Sequence, residues 1–168
     1  MNASAEAEYA AFVRDRWRDL VRAAIFLGAG AHEAEDLAQQ TLVRCFSAWE
    51  RVRGADNTDA YVYRMLLNQL RDARRTRWWR GRVDVEHDST VGDTSEQHAL
   101  ADAVERALGG LTKDQRDVVV LRYFVQLTEA QTAATLGVPR GTVKSRLSRS
   151  LAQLATSEHL SDLSRESR

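Results

Sequence analysis

QLTEAQTAATLGVPRGTVKSRLSRSLAQL, residues 126–154, contains its own start and stop signals. Thr128 and Gln131 form a T-x-x-Q capping box, which satisfies two of the backbone donors that open a helix. Gly137 supplies the permissive backbone that ends that helix, and Pro139 is tolerated only in the first turn of the next. The second helix, expected over 140–155, carries Arg140, Lys144, Arg146 and Arg149 with no acid among them. Two short helices around a tight turn, the second basic, make a helix-turn-helix, whose second helix lies in the major groove of DNA. An ordinary helical hairpin with a solvated basic face would use the same residues, so the flanking sequence has to separate the two.

Immediately upstream, Thr112 and Gln115 repeat the capping box and open a helix over 113–125. The run VVVL at 118–121 favours a strand by its β-branched residues. Its place behind that cap, with Tyr123 and Phe124 continuing a helical stripe, makes it helix instead. A helix over 98–108 completes a C-terminal domain at 98–156, with a polar tail at 157–168. Between 83 and 97 stand five acids (Asp84, Glu86, Asp88, Asp93, Glu96), no base and no period, the pattern of a flexible linker. Before it, over 61–82, stand seven arginines (64, 71, 74, 75, 77, 80, 82) against Asp72 alone. The 24 basic and 24 acidic residues therefore cancel only in the sum. Two basic patches on either side of an acidic connector are the charge pattern of two nucleic-acid-contacting modules.

The N-terminal domain, 6–82, reads as three helices. In the first, over 6–27, Tyr9, Phe12, Val13, Trp17, Leu20, Ala24 and Leu27 recur at helical spacing, and Gly28 and Gly30 end it. The second, over 33–49, has a stripe of Ala34, Leu37, Ala38, Thr41, Leu42, Cys45, Phe46 and Trp49, which makes Cys45 a core residue rather than a reactive thiol. Its other face presents Glu35, Asp36, Gln39, Gln40, Val43 and Arg44, which from the sequence alone is either a solvated face or a docking face. A polar connector spans 51–59. The third helix, over 59–77, turns Val62, Met65, Leu66, Gln69 and Ala73 one way and spreads Arg64, Asn68, Arg71, Arg74 and Arg75 over the rest. Its tail, RRTRWWRGR, sets Trp78 and Trp79 among cations. Arginine on phosphate and indole on unpaired bases suit partly single-stranded DNA, although at least one of the two indoles is expected to pack on the core.

A hydrophobic fraction of 43% over 168 residues supports modest cores in one domain or two small ones. No apolar run approaches a membrane span, and the N-terminus lacks the basic flank and apolar centre of a secretion signal. A single cysteine excludes an internal disulfide and fits a reducing, cytoplasmic setting. The four histidines (32, 87, 98, 159) lack metal-ligand spacing, and no glycine-rich phosphate loop occurs. Neither a metal, a cofactor nor a catalytic residue is expected, and the chain reads as a non-enzyme.

The segments HEAEDLAQQTLVRCFSAW, YVYRMLLNQLRDARR and LTKDQRDVVVLRYFVQLTEAQTAATLGVPRGTVKSRLSRSLAQL together resemble the bacterial extracytoplasmic-function sigma factors, the small two-domain initiation subunits of RNA polymerase. The likeness covers most of the chain, from about Tyr9 to Leu154, and the arginine-rich third helix is most similar to the actinobacterial SigE-type subgroup. It implies an all-α fold of two small helical domains, a sigma region 2 bundle and a sigma region 4 helix-turn-helix, on a flexible acidic linker. It implies that Glu35, Asp36, Gln39, Gln40, Val43 and Arg44 dock on the clamp helices of the largest polymerase subunit, with the flap of the second-largest subunit as another partner. Arg64, Asn68, Arg71, Arg74 and Arg75 would read the −10 promoter element, and the connector with Arg53, Asp56 and Asn57 would capture a flipped base. Arg140, Thr142, Lys144, Ser145, Arg146 and Arg149 would read the −35 element. An anti-sigma factor is a further partner the family implies.

Two positions depart from the family pattern. The base-capturing loop often carries an aromatic, and Gly54-Ala55-Asp56-Asn57-Thr58 has none, which leaves polar contacts from Asp56 or Asn57. Pro139 stands where a capping serine is common, so the first N–H groups of the recognition helix need another partner. Two other functions use the same residues in part: a helix-turn-helix regulator that binds duplex without docking on polymerase, and a helical protein-interaction module.

Overall fold

The computed structural model describes residues 3–79 and 96–157. The acidic stretch 83–95, Arg80, Arg82, the tail beyond 157 and the side chain of Trp79 lie outside the described residues, and with them most of the expected linker. The described residues are helical, with turns between, and fall into two compact units.

The first unit contains α1 (Ala3–Phe26, all but its last residue), α2 (Ala31–Ser47), α3 (Trp49–Arg53) and α4 (Thr58–Trp79). On α2, Ala34, Leu37, Ala38, Thr41, Leu42 and Cys45 are buried, the i, i+3, i+4 row expected from the sequence. The stripe ends there. α2 stops at Ser47, and Ala48 leaves helical geometry at φ −118° and ψ 23°. Trp49 then opens α3, which buries Trp49 and Val52 and makes the start of the expected connector helical. Phe46, read as core, is 49% exposed, and Trp17 on α1 is 36% exposed. The indole of Trp49 takes the core position between α1 and α2, at 5.3 Å from the Tyr9 ring and 5.2 Å from Phe12. Tyr9 also donates its hydroxyl to the Leu42 carbonyl at 2.8 Å.

α4 buries a wider face than its sequence stripe: Val62, Tyr63, Leu66, Leu67, Gln69 and Leu70. Met65 and Ala73 are only half-buried. The reason is that α4 packs on both α2 and α3, so two rows of side chains are needed. A buried polar link fixes its register on α2. Gln69 Nε2 donates to Thr41 Oγ1 at 2.7 Å, and that hydroxyl donates to the Leu37 carbonyl at 2.7 Å.

The second unit contains α5 (Glu96–Gly109), α6 (Lys113–Val119), a π-helical stretch (Val120–Phe124), α7 (Glu129–Leu136) and α8 (Arg140–Ala155). α5 begins two residues inside the span read as linker. Both capping boxes form, with Thr112 and Thr128 each exchanging bonds with Gln115 and Gln131. The VVVL run is helical and buried, but the helix read as 113–125 changes to π geometry at Val120. The extra residue in that turn leaves Tyr123 and Phe124 56% and 42% exposed. Gly137 closes α7 in the left-handed region at φ 69°, and the Val138 N–H reaches the Ala133 carbonyl at 3.1 Å. Pro139 is the residue before the helix rather than its first turn; its carbonyl accepts from the N–H groups of Thr142 and Val143. Val118 of α6, Ala133 of α7 and Val143 of α8 form a core among these three helices, with Leu136, Val138 and Leu147 against it.

Candidate functional surfaces

Three faces carry the residues singled out in the sequence. On α2, Glu35, Asp36, Gln39, Gln40, Val43 and Arg44 are all exposed, opposite a complete buried row. Gln39, Gln40, Val43 and Arg44 line a shallow depression. Val43 is 59% exposed, and Phe46 follows it one turn on. Positions 39, 43 and 46 share one face of a helix, so Phe46 extends the polar row with a ring braced edge-on against Tyr9 at 5.1 Å. The sequence stripe assigned Phe46 to the core; its i+7 spacing from Gln39 is the signal that assigns it here.

The turn before α4 is more occupied than the sequence suggests. Arg53 contacts Glu50 Oε2 through Nη2 at 2.5 Å and Nε at 2.9 Å, and reaches Glu8 at 3.4 Å. These hydrogen bonds and charges, Glu50 first, raise its pKa further. Asn57 Oδ1 accepts from the Ala60 N–H at 2.6 Å, so Asn57 caps α4. Asp56 is exposed. On α4 itself Arg64 and Asn68 are exposed, Arg71 and Arg74 half-buried, and Arg75 exposed in a 3.1 Å pair with Asp72. Arg64, Asn68, Arg71 and Arg75 fall on one stripe at i, i+4, i+7 and i+11, about 16 Å long at 1.5 Å per residue. Arg77 belongs to the fold, since its 2.7 Å pair with Glu33 ties the end of α4 to the start of α2. Trp78 is 69% exposed, and the side chain of Trp79 lies outside the described residues.

On α8, Arg140, Lys144 and Arg149 are exposed, and Thr142 and Ser145 are half-buried. Ser145 donates to the Thr142 carbonyl at 3.1 Å. Arg140 lies 3.9 Å from Glu129, a loose contact at a side chain 69% exposed. Arg146 differs from the others. It is 25% exposed and pairs with Asp114 of α6 at 2.6 Å, which braces α8 on its neighbour.

The C-terminal unit also has an apolar groove of about 210 Å³ that the sequence reading did not identify. Val104, Ala107, Val119, Tyr123, Phe124 and Leu151 line it with no polar surface. The adjacent aromatics at 123 and 124 were the available hint, because they follow a VVVL run that already fills the core.

Among the described residues no group of three or more His, Cys, Asp or Glu could hold a metal ion, and no helix is long and apolar enough to cross a membrane. Cys45 is buried, 3.8 Å from the Met65 sulfur, and burial pushes its thiol up to about 11.

Residues 12–80 match the family described as Sigma-70 region 2, and residues 101–154 match Sigma-70, region 4. The chain is 40% identical over 153 residues to the RNA polymerase sigma-E factor of Streptomyces avermitilis, covering 88% of this chain and 83% of that one. It is 32% identical over 137 residues to the ECF RNA polymerase sigma factor SigL of Mycobacterium tuberculosis, covering 76% of each. Among solved structures, the sigma factor RpoE of Bartonella quintana, in complex with the anti-sigma factor NepR, superposes with a TM-score of 0.73 at 25% identity. That match covers 92% of this chain and 97% of RpoE. The chain thus belongs to the sigma-70 family of RNA polymerase initiation factors, in its extracytoplasmic-function branch.

Proposed function

We propose that this sigma factor divides its work between a docking and melting domain at 6–82 and a −35-reading domain at 98–156, joined by an acidic linker, with no catalytic residue of its own. Its partners are core RNA polymerase and promoter DNA, and its place is the cytoplasm. The observation that carries the docking assignment is the exposed α2 row, where Asp36, Gln39 and Gln40 stand beside Val43 and Phe46 on a helix whose other face is fully occupied by core. A helix-turn-helix regulator accounts for α8 and leaves that row without a use. The apolar groove at Tyr123 and Phe124 suits the second contact, the polymerase flap. RpoE, solved with the anti-sigma factor NepR, makes an anti-sigma factor a partner class for this chain as well.

Polymerase performs the chemistry, and sigma lowers the cost of opening the duplex. Each base taken out of the stack costs a few kcal/mol, which contacts to the displaced strand offset. Arg64, Asn68, Arg71 and Arg75 are the α4 residues assigned to that strand, with Arg74 beside them. Asp56 is the freest polar group of the preceding turn, since Arg53 is held by two glutamates and Asn57 by its cap. On α8, Arg140 and Lys144 take the base-reading role, Thr142, Ser145 and Arg149 flank them, and Arg146 sets the helix on α6. The test is holoenzyme assembly on a native gel with Asp36→Arg combined with Gln39→Ala. These exposed substitutions cost under about 0.5 kcal/mol of stability, so a folded variant that no longer shifts core polymerase is the expected result. Normal assembly would overturn the docking assignment.

A further inference from the structure

Gly141 is a residue whose presence the isolated chain does not explain. It is the second residue of α8, helical, outside the left-handed region, and exposed. A Cβ built on it meets nothing within 4 Å. Two other glycines have local reasons. Gly137 needs φ 69° to turn between α7 and α8, and a Cβ on Gly54 would stand 3.1 Å from the Glu50 carbonyl. Gly109 is equally open and is not in the left-handed region, so it has no local reason either, but it lies on α5, which carries none of the three faces described above. Within a helix glycine is among the least favourable residues and alanine the most favourable, and in the first turn, where Gly141 stands, the same preference acts more weakly. Position 141 therefore gives up stability with no internal return.

Its place on the helix supplies the reason. At 100° per residue, the buried side of α8 is set by Val143 and Ser150, and Gly141 lies nearly opposite, in the middle of the outer face. Lys144 and Arg140 flank it on one edge, and Arg149 on the other. This is the line along which a cationic helix meets a duplex, and a side chain there would stand between the backbone and the DNA. We propose that Gly141 is a close-approach position, at which the absence of a Cβ lets the α8 backbone seat against promoter DNA so that Arg140 and Lys144 reach base edges. The inference rests on α8 being the −35 reader and concerns a residue outside those assigned to contact bases by their side chains.

The test is Gly141→Ala in the full-length chain, assembled with core polymerase and bound to a duplex selected by the wild-type holoenzyme from a pool randomised at −35. Gly109→Ala is the matched control, and Lys144→Ala tests the reading of the helix. Gly141→Ala is expected to raise the thermal midpoint of the C-terminal unit by up to about 4 °C while weakening binding to the selected duplex at least about tenfold, the opposite signs that a merely structural residue does not give. Gly109→Ala is expected to leave binding unchanged. Wild-type affinity in Gly141→Ala with a loss in Lys144→Ala would overturn the close-approach inference alone. Wild-type affinity in both would overturn the −35 assignment with it.

Discussion

Truncating Phe46 separates a docking residue from a core residue by a measurable margin. A phenylalanine side chain buries about 150–250 Å² when fully covered, and Phe46 has 49% of its surface free. Covering that remainder with a partner removes roughly 75–120 Å² from water, about 2–3 kcal/mol at 25 cal/mol per Å². At 1.4 kcal/mol per decade, and with part of the area lost to imperfect fit, Phe46→Ala is expected to weaken core-polymerase binding by about 10- to 100-fold. Val43, 59% exposed on the same face, gives about tenfold as Val43→Ser. The cost to the fold is smaller, since the edge-on contact with Tyr9 contributes about 0.5–1.5 kcal/mol. The assay is competition of unlabelled variants against a labelled wild-type chain for core polymerase, with thermal unfolding of each variant alongside. Leu100→Ala, an exposed apolar residue on α5, controls for general stickiness and is expected to compete as wild type. Competition within threefold of wild type by both Phe46→Ala and Val43→Ser, in folded proteins, would show that the partner does not cover this face.

Arg146→Ala is expected to destabilise the C-terminal unit by about 1 kcal/mol, because the 2.6 Å pair with Asp114 is partly shielded on the arginine side; promoter affinity that rises in Asp114→Ala would show instead that Arg146 is a DNA contact held back by that pair. Arg149→Ala is expected to weaken all promoters alike and lower the salt slope by about one, whereas Lys144→Ala relaxes preference at one −35 position, as read by binding titrations on variant duplexes at several salt concentrations. Burial raises the Cys45 thiol from 9.0 to about 11, so the folded state keeps a proton that the unfolded chain releases. Its contribution is therefore full below about pH 9 and falls by up to about 2 kcal/mol as pH rises to about 11; denaturant titrations should show this loss in the wild type and less of it in Cys45→Ala.

Periodicity made much of the molecule legible. The α2 core row, both capping boxes and the glycine turn at 137 stand where spacing put them, because each depends on residues within four positions of one another. What the sequence concealed depends on third parties. Phe46 and Trp49 lie at adjacent turns of one apolar stripe, and which of them enters the core is decided by the break at Ala48 and the space left by Tyr9 and Phe12. α4 looks one-faced in sequence and buries two rows because two helices lie on it. Tyr123 and Phe124 continue a helical pattern, yet a π turn carries both outward to line a groove. The charged residues were legible as patches but not as individuals: Arg53, Arg77 and Arg146 are all engaged by acids distant or adjacent in sequence, and Asn57 is engaged by a backbone donor.

Promoter-directed transcription is the most direct measurement. Core polymerase, with and without the purified chain, is supplied with a library of templates randomised over two segments upstream of a run-off cassette, and the transcripts are sequenced. The account predicts that transcripts appear only with the chain, that active templates share two short elements, and that the Asp36→Arg, Gln39→Ala variant abolishes them without changing how the free chain unfolds. Selection of duplex by the chain alone, with no added transcript in the presence of core polymerase, would contradict it.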